Sequence, residues 1–211
     1  MSLSMLLALT ACPAMLGTQE AIHQGQAKNR REEHRARRCN LIVTCVKVSH
    51  RASQLNGKFI ALKNAKLYIS NGGEDEHFFH GYYLPYPDTK YEGLVSTITS
   101  VAPILNWIYI DKDTYEVKYG VRDSAQPHLT GPFDCTRQDR RLTFEEWEGF
   151  VAVEEQPGQW ALYFDRDDNG LRGKIQPGKK SLEVTLKRIE RKKTKEDAEK
   201  EREQAKDERV R

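Results

Sequence analysis

The chain has 211 residues, enough for one domain with a hydrophobic core and tails. It carries 34 basic and 31 acidic side chains, and this near balance excludes a surface that is wholly a nucleic-acid footprint, so we expect no specific nucleic-acid partner. The four cysteines form no CxxC pair, which argues against a zinc knuckle or a dense disulfide scaffold. Mostly reduced thiols are favoured, and one bridge from Cys39 or Cys45 to Cys135 stays open as the alternative.

The N-terminal segment is apolar from residue 5 to residue 11, but it carries no lysine or arginine before Lys28. A secretory signal normally has a basic start, and a membrane-spanning helix needs about 20 apolar residues. Pro13 also interrupts the run. We therefore predict an intracellular, cytoplasmic protein without a transmembrane segment, with secretion as the alternative.

A basic helix is predicted over residues 18–38. Thr18 is a suitable N-cap, Glu20 lies in the first turn, and basic residues crowd the C-terminal end, as the helix dipole favours. Glu33 and Arg37 stand four residues apart and are spaced for an ion pair. A solvated helix end is favoured over a nuclear-import or phosphate-binding patch.

The middle of the chain is rich in β-branched and aromatic residues. Residues 39–48 predict a first strand, and residues 59–62 and 67–69 predict a hairpin across the short connection KNAK. The stretch LNWIYIDKDTYEVKYGV predicts a second hairpin, with residues 111–114 as its loop. Both hairpins indicate an antiparallel sheet.

The clearest hairpin is predicted by the stretch GFVAVEEQPGQWALYF, with its turn at residues 156–159. The predicted register pairs Val153 with Leu162 and Val151 with Phe164. Because side chains alternate between the two faces of a strand, this register buries one apolar face of the hairpin.

A last strand is predicted by the stretch SLEVTLKRI. With about seven to nine short strands in all, we predict an all-β fold, a small antiparallel barrel or sandwich. Residues 1–38 hold the apolar segment and the helix, and residues 39–188 form the β-rich domain. Residues 189–211 form a charged tail that is either disordered or a lone helix, because it has almost no apolar side chains.

The stretch DRDDNGL begins like a calcium-binding loop. Asp165, Asp167 and Asn169 take the first three ligand positions, and Gly170 takes the position of the sharp turn. The closing position holds Gln176, which cannot supply a bidentate carboxylate. A tight turn is therefore favoured, with a weak calcium site as the alternative.

Catalytic residues are difficult to assign, because the chain has no GxSxG, HExxH, P-loop or GxGxxG pattern. The segment TFEEWEGF offers Glu145, Glu146 and Glu148 around Trp147, and a carboxylate beside an indole can act as a general acid. His80 is the remaining candidate. Acidic residues on the wet face of a strand are common, so these residues remain weak candidates and no cofactor is predicted.

Aromatic side chains are concentrated in one third of the chain, at Tyr82, Tyr83, Tyr86, Trp107 and Tyr109. Such residues can line an apolar pocket at the mouth of a barrel and bind a small molecule. For alternating residues such as Trp107 and Tyr109, an ordinary core position is the competing interpretation.

Several phrases, in this order, resemble a widespread family of uncharacterised ascomycete proteins: FHGYYLPYP, LNWIYID, RRLTFEEWEGFVAVEE and WALYFDRDDNGL. The resemblance covers about residues 5–190. Members of this family are often encoded near secondary-metabolite gene clusters, which is an association and implies no reaction or catalytic residue.

These observations predict an accessory, non-catalytic small-molecule-binding protein of fungal secondary-metabolite biosynthesis. One alternative is a small β-barrel enzyme, a cyclase, isomerase or hydrolase that acts on a pathway intermediate. Another is an interaction protein that uses the basic helix and the charged tail. The oligomeric state is left open.

Overall fold

The computed structural model describes residues 25–26, 33–73, 76–97 and 105–190. The chain divides into two compact units, Met1–Arg37 and Arg38–Arg211. In the first unit, residues 33–36 are helical, and Arg37 Nη2 forms the expected ion pair with Glu33 Oε1 at 2.6 Å. The apolar N-terminal segment, most of the predicted helix and the tail from residue 191 lie outside the described residues.

The second unit is built almost entirely of strands, which confirms the all-β prediction. Its strands are β1 Cys39–Cys45, β2 Ile60–Lys63, β3 Lys66–Ile69, β4 His77–Phe78, β5 Gly81–Pro85, β6 Glu92–Thr97, β7 Leu105–Ile110, β8 Val117–Gly120, β9 Phe133–Cys135, β10 Leu142–Phe144, β11 Phe150–Gln156, β12 Gln159–Phe164 and β13 Ser181–Glu190. Two short helices, α1 Ala52–Leu55 and α2 Arg122–Ala125, lie between strands.

The antiparallel strands close into a barrel. The sheet has the order β12-β11-β13-β1-β5-β6-β7-β8-β3-β2-β4, and an additional pairing of β12 with β3 joins its distant parts into a ring. Strands β2 and β4 follow β3 in the sheet order, beyond the closed ring, and β9 and β10 form a separate two-stranded sheet. Closure removes most unpaired edges, which is how small β proteins avoid edge-to-edge association.

Two of the predicted hairpin turns have the backbone conformations that their tight connections require. Asn64 and Ala65 connect β2 to β3 with φ values of 50° and 60°, which is the left-handed geometry of a two-residue hairpin turn. Between β11 and β12, Pro157 is followed by Gly158 with φ 78°. Glycine adopts this conformation without strain, so the predicted turn at residues 156–159 is confirmed.

The predicted register of the β11–β12 hairpin is wrong by one residue. Val151 pairs with Tyr163 and Val153 pairs with Ala161, because an irregularity between Glu154 and Gln156 shifts the pairing beside the turn. Since a one-residue slip exchanges the two faces of one strand relative to the other, Phe150 and Ala152 of β11, and not Val151 and Val153, share the main core with Leu162.

Both faces of this hairpin are buried. Phe150, Ala152, Trp160, Leu162 and Phe164 belong to the main core. Their alternating neighbours, Val151, Val153, Ala161 and Tyr163, pack with Tyr115 and Leu171 in a second cluster on the opposite face. The sequence pattern predicted only one apolar face, because it does not show what covers the other.

The main core holds a chain of edge-to-face phenylalanines. Phe133 contacts Phe144, Phe144 contacts Phe164, and Phe164 contacts Phe150, with ring centroids 4.8, 5.1 and 5.2 Å apart. All four rings are at most 1% exposed. Edge-to-face rings gain energy beyond their buried area, so this chain ties the β9–β10 sheet to β11 and β12.

Two joints of the barrel have very little backbone pairing. Strand β1 pairs with β5 only through Cys39 and Gly81, and β3 pairs with β8 only through Lys66 and Lys118. At both joints, polar side chains make contacts between strands where backbone hydrogen bonds are few. These side chains form two clusters, one at each joint.

Candidate functional site

A groove lies between the β2–β3 hairpin and the turn that joins β11 to β12. We call it the hairpin groove; its volume is about 490 Å³. It is lined by Ala61, Lys63, Tyr68, Ile69, Asn71, Glu76, Pro157, Gly158 and Gln159. Ala61 and Ile69 are buried, so the groove combines apolar and polar walls.

Two of the polar side chains that line the hairpin groove, Glu76 and Asn71, form hydrogen bonds to neighbouring residues at its edge. The Glu76 carboxylate accepts hydrogen bonds from Ser70 Oγ and from the Asn71 backbone N–H. The Asn71 side-chain amide donates to the Gly158 carbonyl at 2.9 Å. Among the described residues, neither the Lys63 ammonium nor the Gln159 carboxamide has a hydrogen-bond partner, so both can donate to a ligand, although the Lys63 charge also helps to lower the pKa of Glu76.

A network of charged side chains lies where β12, β3 and β8 meet. We call it the seam network; its members are Lys66, Tyr68, Asp111, Glu116, Lys118, Glu155 and Tyr163. Lys66 Nζ lies 2.7 Å from Glu116 Oε1 and 2.6 Å from Glu155 Oε1. Lys118 Nζ bridges Glu116 and Asp111 at 3.0 and 2.8 Å.

Two tyrosines connect the seam network to its surroundings. Tyr163 Oη lies 2.8 Å from Glu155 Oε1 and 3.2 Å from Glu116 Oε1. Tyr68 donates to Glu155 Oε2 at 3.1 Å, and its ring also lines the hairpin groove. Tyr68 therefore joins the groove to the network.

Ionisation in the seam network is set by competition between burial and pairing. Burial alone would raise the pKa of Glu116, but the hydrogen bonds from Lys66 and Lys118 outweigh it and lower that pKa. Burial likewise opposes the charge of Lys66, and its two carboxylate partners raise its pKa nonetheless. Burial and the bond to Glu155 both raise the pKa of Tyr163. Glu116 and Lys66 are therefore both charged at neutral pH.

The β1–β5 joint is bridged by a buried arginine. We call this cluster the arginine site; it consists of Arg188, Cys39, Tyr83 and Cys135. Arg188 is 3% exposed, its guanidinium carbon lies 4.7 Å from the centre of the Tyr83 ring, and its Nε lies 3.2 Å from Cys39 Sγ. Arg188 Nη1 lies 3.6 Å from Cys135 Sγ. Both cysteines and Cys45 are free thiols, and Cys12 lies outside the described residues.

The acidic candidates from the sequence do not converge on one site. Glu145 accepts two hydrogen bonds from Arg166, at 2.9 and 2.8 Å, whereas Glu148 lies 3.3 Å from Arg141 Nε. Glu146 occupies an exposed turn with φ 63°. His80 precedes β5, and its backbone N–H donates to Ser96 Oγ. Their catalytic role stays a prediction.

The candidate aromatic residues are divided between two clusters. Tyr83 lies in the main core, where its hydroxyl donates to the Asp134 carbonyl. Tyr86, Trp107 and Tyr109 belong to another cluster, with half-buried Tyr82 packed against it. The Tyr86 and Trp107 rings meet edge to face at 4.8 Å. This packing accounts for their spacing as core residues, and a ligand-binding role stays a prediction.

The three candidate calcium ligands accept hydrogen bonds within their own region. Asp165 is 7% exposed, and its carboxylate accepts the backbone N–H groups of Asn169 and Gly170 at 3.2 and 2.7 Å. Asp167 accepts from the Tyr115 hydroxyl, and the Asn169 side chain accepts from the Arg172 backbone. Within the described residues, no group of three or more His, Cys, Asp or Glu side chains is placed to hold a metal ion. Calcium binding stays a prediction.

Sequence reasoning missed both the seam network and the arginine site. One signal was present: Glu116 and Lys118 are charged residues of opposite sign two positions apart, so they share one face of a strand. Their partners Lys66 and Glu155 are distant in the chain, and only barrel closure brings them together.

Within the described residues, no helix is long and apolar enough to cross a membrane. The closed antiparallel barrel, with hairpins packed against it and polar networks at its joints, defines a small all-β barrel domain. The sequence model of the fungal beta-trefoil domain matches residues 17–192, so the chain belongs to this fungal family. No curated protein and no solved structure matches the chain.

Proposed function

We propose that this protein is a non-catalytic small-molecule-binding member of the fungal beta-trefoil family and that the hairpin groove is its binding site. The observation that carries the proposal is a groove of about 490 Å³. Pockets for small organic ligands commonly measure about 300–1,000 Å³. A role as an accessory protein of secondary metabolism is the most specific form of the proposal, and it rests on the resemblance to proteins encoded near such gene clusters.

The walls of the hairpin groove favour a ligand with one apolar face and one acceptor group. Ala61, Ile69 and the Tyr68 ring offer apolar surface, and the Tyr68 hydroxyl is held by Glu155. Lys63 and Gln159 supply donors at the same groove. A small organic acid or a carbonyl-bearing ring system satisfies both features.

Charge pairing beside the groove supports binding over catalysis. A carboxylate that acts as a general base must be placed to accept a proton from the substrate. Glu116 and Glu155 are instead held by the Lys66 ammonium, and Glu155 also accepts from two tyrosine hydroxyls. These contacts favour a fixed structural role for both carboxylates.

The test is a capture experiment with the full chain. The purified protein is incubated with a small-molecule extract of the fungus that encodes it, and the retained compounds are identified by mass spectrometry. We expect one or a few compounds to be enriched by the wild-type protein and lost from the double variant Lys63→Ala, Gln159→Ala. The matched control is Lys112→Ala, which removes an exposed lysine elsewhere.

Three outcomes would overturn the proposal. Equal capture by the double variant would exclude the hairpin groove, and conversion of a retained compound during incubation would favour an enzyme. Absence of any retained compound would exclude small-molecule binding from that extract. Metabolite profiling of a strain that lacks the gene tests the metabolic role separately, because an unchanged profile would contradict only that part.

A further inference from the structure

A second pocket lies beside the turn between β10 and β11, and it shares no lining residue with the hairpin groove. We call it the indole pocket; its volume is about 250 Å³, and it is lined by Glu145, Trp147, Phe164, Arg166 and Asp168. Trp147 is 44% exposed, whereas Trp107 and Trp160 are 6% and 3% exposed. One of the three tryptophans therefore presents its indole to solvent at a concave site.

The Trp147 indole is held in place although it is exposed. Its Nε1–H donates to the Asp165 carbonyl at 3.3 Å. The ring also lies against Gly149, where an added Cβ would stand only 1.8 Å from Nε1, so only glycine permits this position. Phe144 and Trp147 exchange two backbone hydrogen bonds of 2.9 Å across the turn. Because the Trp147 side chain is already fixed, a ligand that stacks on its ring pays little conformational entropy for ordering it.

The indole pocket is negatively charged. Glu145 is neutralised by its two hydrogen bonds from Arg166. The exposed Asp168 carboxylate has no hydrogen-bond or ion-pair partner among the residues that the structure describes. Glu145, Arg166 and Asp168 together carry a formal charge of −1, since one positive charge opposes two negative charges. Exposed Glu146, on the same turn, adds to this potential.

We propose that the indole pocket binds a small organic cation, a quaternary ammonium or a protonated amine. The electron-rich face of an indole is the best aromatic surface for such a cation. Asp168 supplies the counter-charge, and the exposed Trp147 ring supplies the apolar contact for the alkyl groups of the ligand. The net negative charge of the pocket disfavours an anion. The Arg166 guanidinium, which could otherwise bind one, already donates two hydrogen bonds to Glu145.

The probe for this site is tetramethylammonium chloride, titrated into the full chain at constant ionic strength and followed by saturation-transfer NMR of the methyl protons. We expect saturable binding with a Kd on the order of 1–10 mM, as suits a small cation held by one ring and one carboxylate. Sodium chloride at the same concentration is the salt control. tert-Butanol, a neutral molecule of similar size, controls for apolar binding.

Variants of this pocket separate the ring from the charge. Trp147→Leu is expected to abolish the signal, Trp147→Phe to weaken binding about three-fold, and Asp168→Asn to weaken it about five-fold. Asp113→Asn removes an exposed carboxylate elsewhere and should leave binding unchanged. Circular dichroism confirms that each variant is folded.

The proposal is overturned if tert-butanol binds as well as the cation, if Trp147→Leu binds like the wild type, or if Asp168→Asn and Asp113→Asn behave alike. Each of these results would show that either the charge of the ligand and of Asp168 or the Trp147 ring does not contribute to binding. Failure of the capture experiment with the hairpin groove does not affect this test, because the two sites have different lining residues.

Discussion

The two joints with the least backbone pairing are bridged in opposite ways. At the β3–β8 joint, the seam network uses several paired charges that remain 10–26% exposed on their side chains. At the β1–β5 joint, the arginine site uses one guanidinium among thiols and an aromatic ring. Side chains can thus replace a missing backbone ladder either through half-buried ion pairs or through a buried guanidinium packed on thiols and an aromatic ring, and the two joints should fail under different conditions.

The largest effect is expected from the arginine site. Arg188→Ala removes a buried side chain that contacts Cys39, Cys135 and Tyr83, and we expect it to lower the free energy of unfolding by about 3–5 kcal/mol. Arg188→Lys should recover only part of this loss, since an ammonium cannot reproduce the planar fork. Urea denaturation measures both variants.

The control for this experiment is Arg122→Ala, which breaks an exposed ion pair with Asp88. Exposed pairs contribute about 0–1 kcal/mol. If Arg188→Ala were no more destabilising than Arg122→Ala, the guanidinium would not hold the β1–β5 joint.

A smaller and pH-dependent effect is expected in the seam network. Lys66→Met leaves Glu116 and Glu155 without their shared cation, so the free energy of unfolding should fall by about 2–3 kcal/mol at pH 7. The loss should shrink near pH 4.5, because Glu116, whose pKa the Lys66 ammonium lowers in the wild type, can take up a proton once that ammonium is gone. Denaturation at the two pH values measures the difference.

Lys47→Met serves as the matched lysine control, since Lys47 and Glu183 form an exposed pair. We expect it to change stability by less than about 0.5 kcal/mol at either pH. A pH-independent loss in Lys66→Met would show that the ammonium contributes packing and not charge balance.

The seam network should contribute a large part of the loss of stability of the wild-type protein at acidic pH. Burial opposes the charge of Asp111 and Glu116, but a bond from Lys118 lowers the pKa of Asp111, and bonds from Lys66 and Lys118 lower the pKa of Glu116 in the folded chain. A group with a lowered folded pKa stabilises above its unfolded pKa and loses that contribution as the pH falls through the folded value. We expect a loss on the order of 2 kcal/mol between about pH 5 and pH 2, and Glu116→Gln should reduce it.

At alkaline pH, the loss of stability should begin with the ionisation of a thiol at the arginine site. Burial raises the pKa of Cys39 despite its contact with Arg188, so the unfolded chain ionises first and stability falls as the pH rises. The slope should be about 1 kcal/mol per pH unit above about pH 9, before the tyrosines and lysines of the seam network titrate. Burial also raises the pKa of half-buried Cys45. Cys39→Ala should therefore flatten the slope more than Cys45→Ala, and equal slopes would contradict this assignment.

Much of the fold was predictable because the relevant signals are local. The KNAK connection and the Pro157-Gly158 turn were correctly placed, since each tight turn depends on a few neighbouring residues. The last strand was also predicted, and it extends to Glu190. The register of the β11–β12 hairpin was not predictable, because the irregularity beside Glu155 leaves no distinct mark in a sequence whose residues are apolar on both faces.

The candidate sites were predicted less well, because a site requires residues that are distant in the chain to meet. TFEEWEGF was singled out for its carboxylates, whereas the feature that distinguishes it is the exposed Trp147 held against Gly149. The hairpin groove contains none of the aromatic residues proposed from the sequence for ligand binding and none of the proposed catalytic residues. Its walls come from the β2–β3 hairpin and the start of β12, and β12 meets β3 only in the closed barrel.

By itself, the sequence determined the antiparallel all-β class, the positions of several turns and the near balance of charge, because these depend on alternation, glycine and proline placement, and composition. Tertiary structure alone decided the closing pairing of β12 with β3, the burial of Arg188, and the pairing of Lys66 with Glu116 and Glu155. The physical reason is range: a turn is specified within a few residues, whereas barrel closure and charge pairing depend on contacts between segments far apart in the chain.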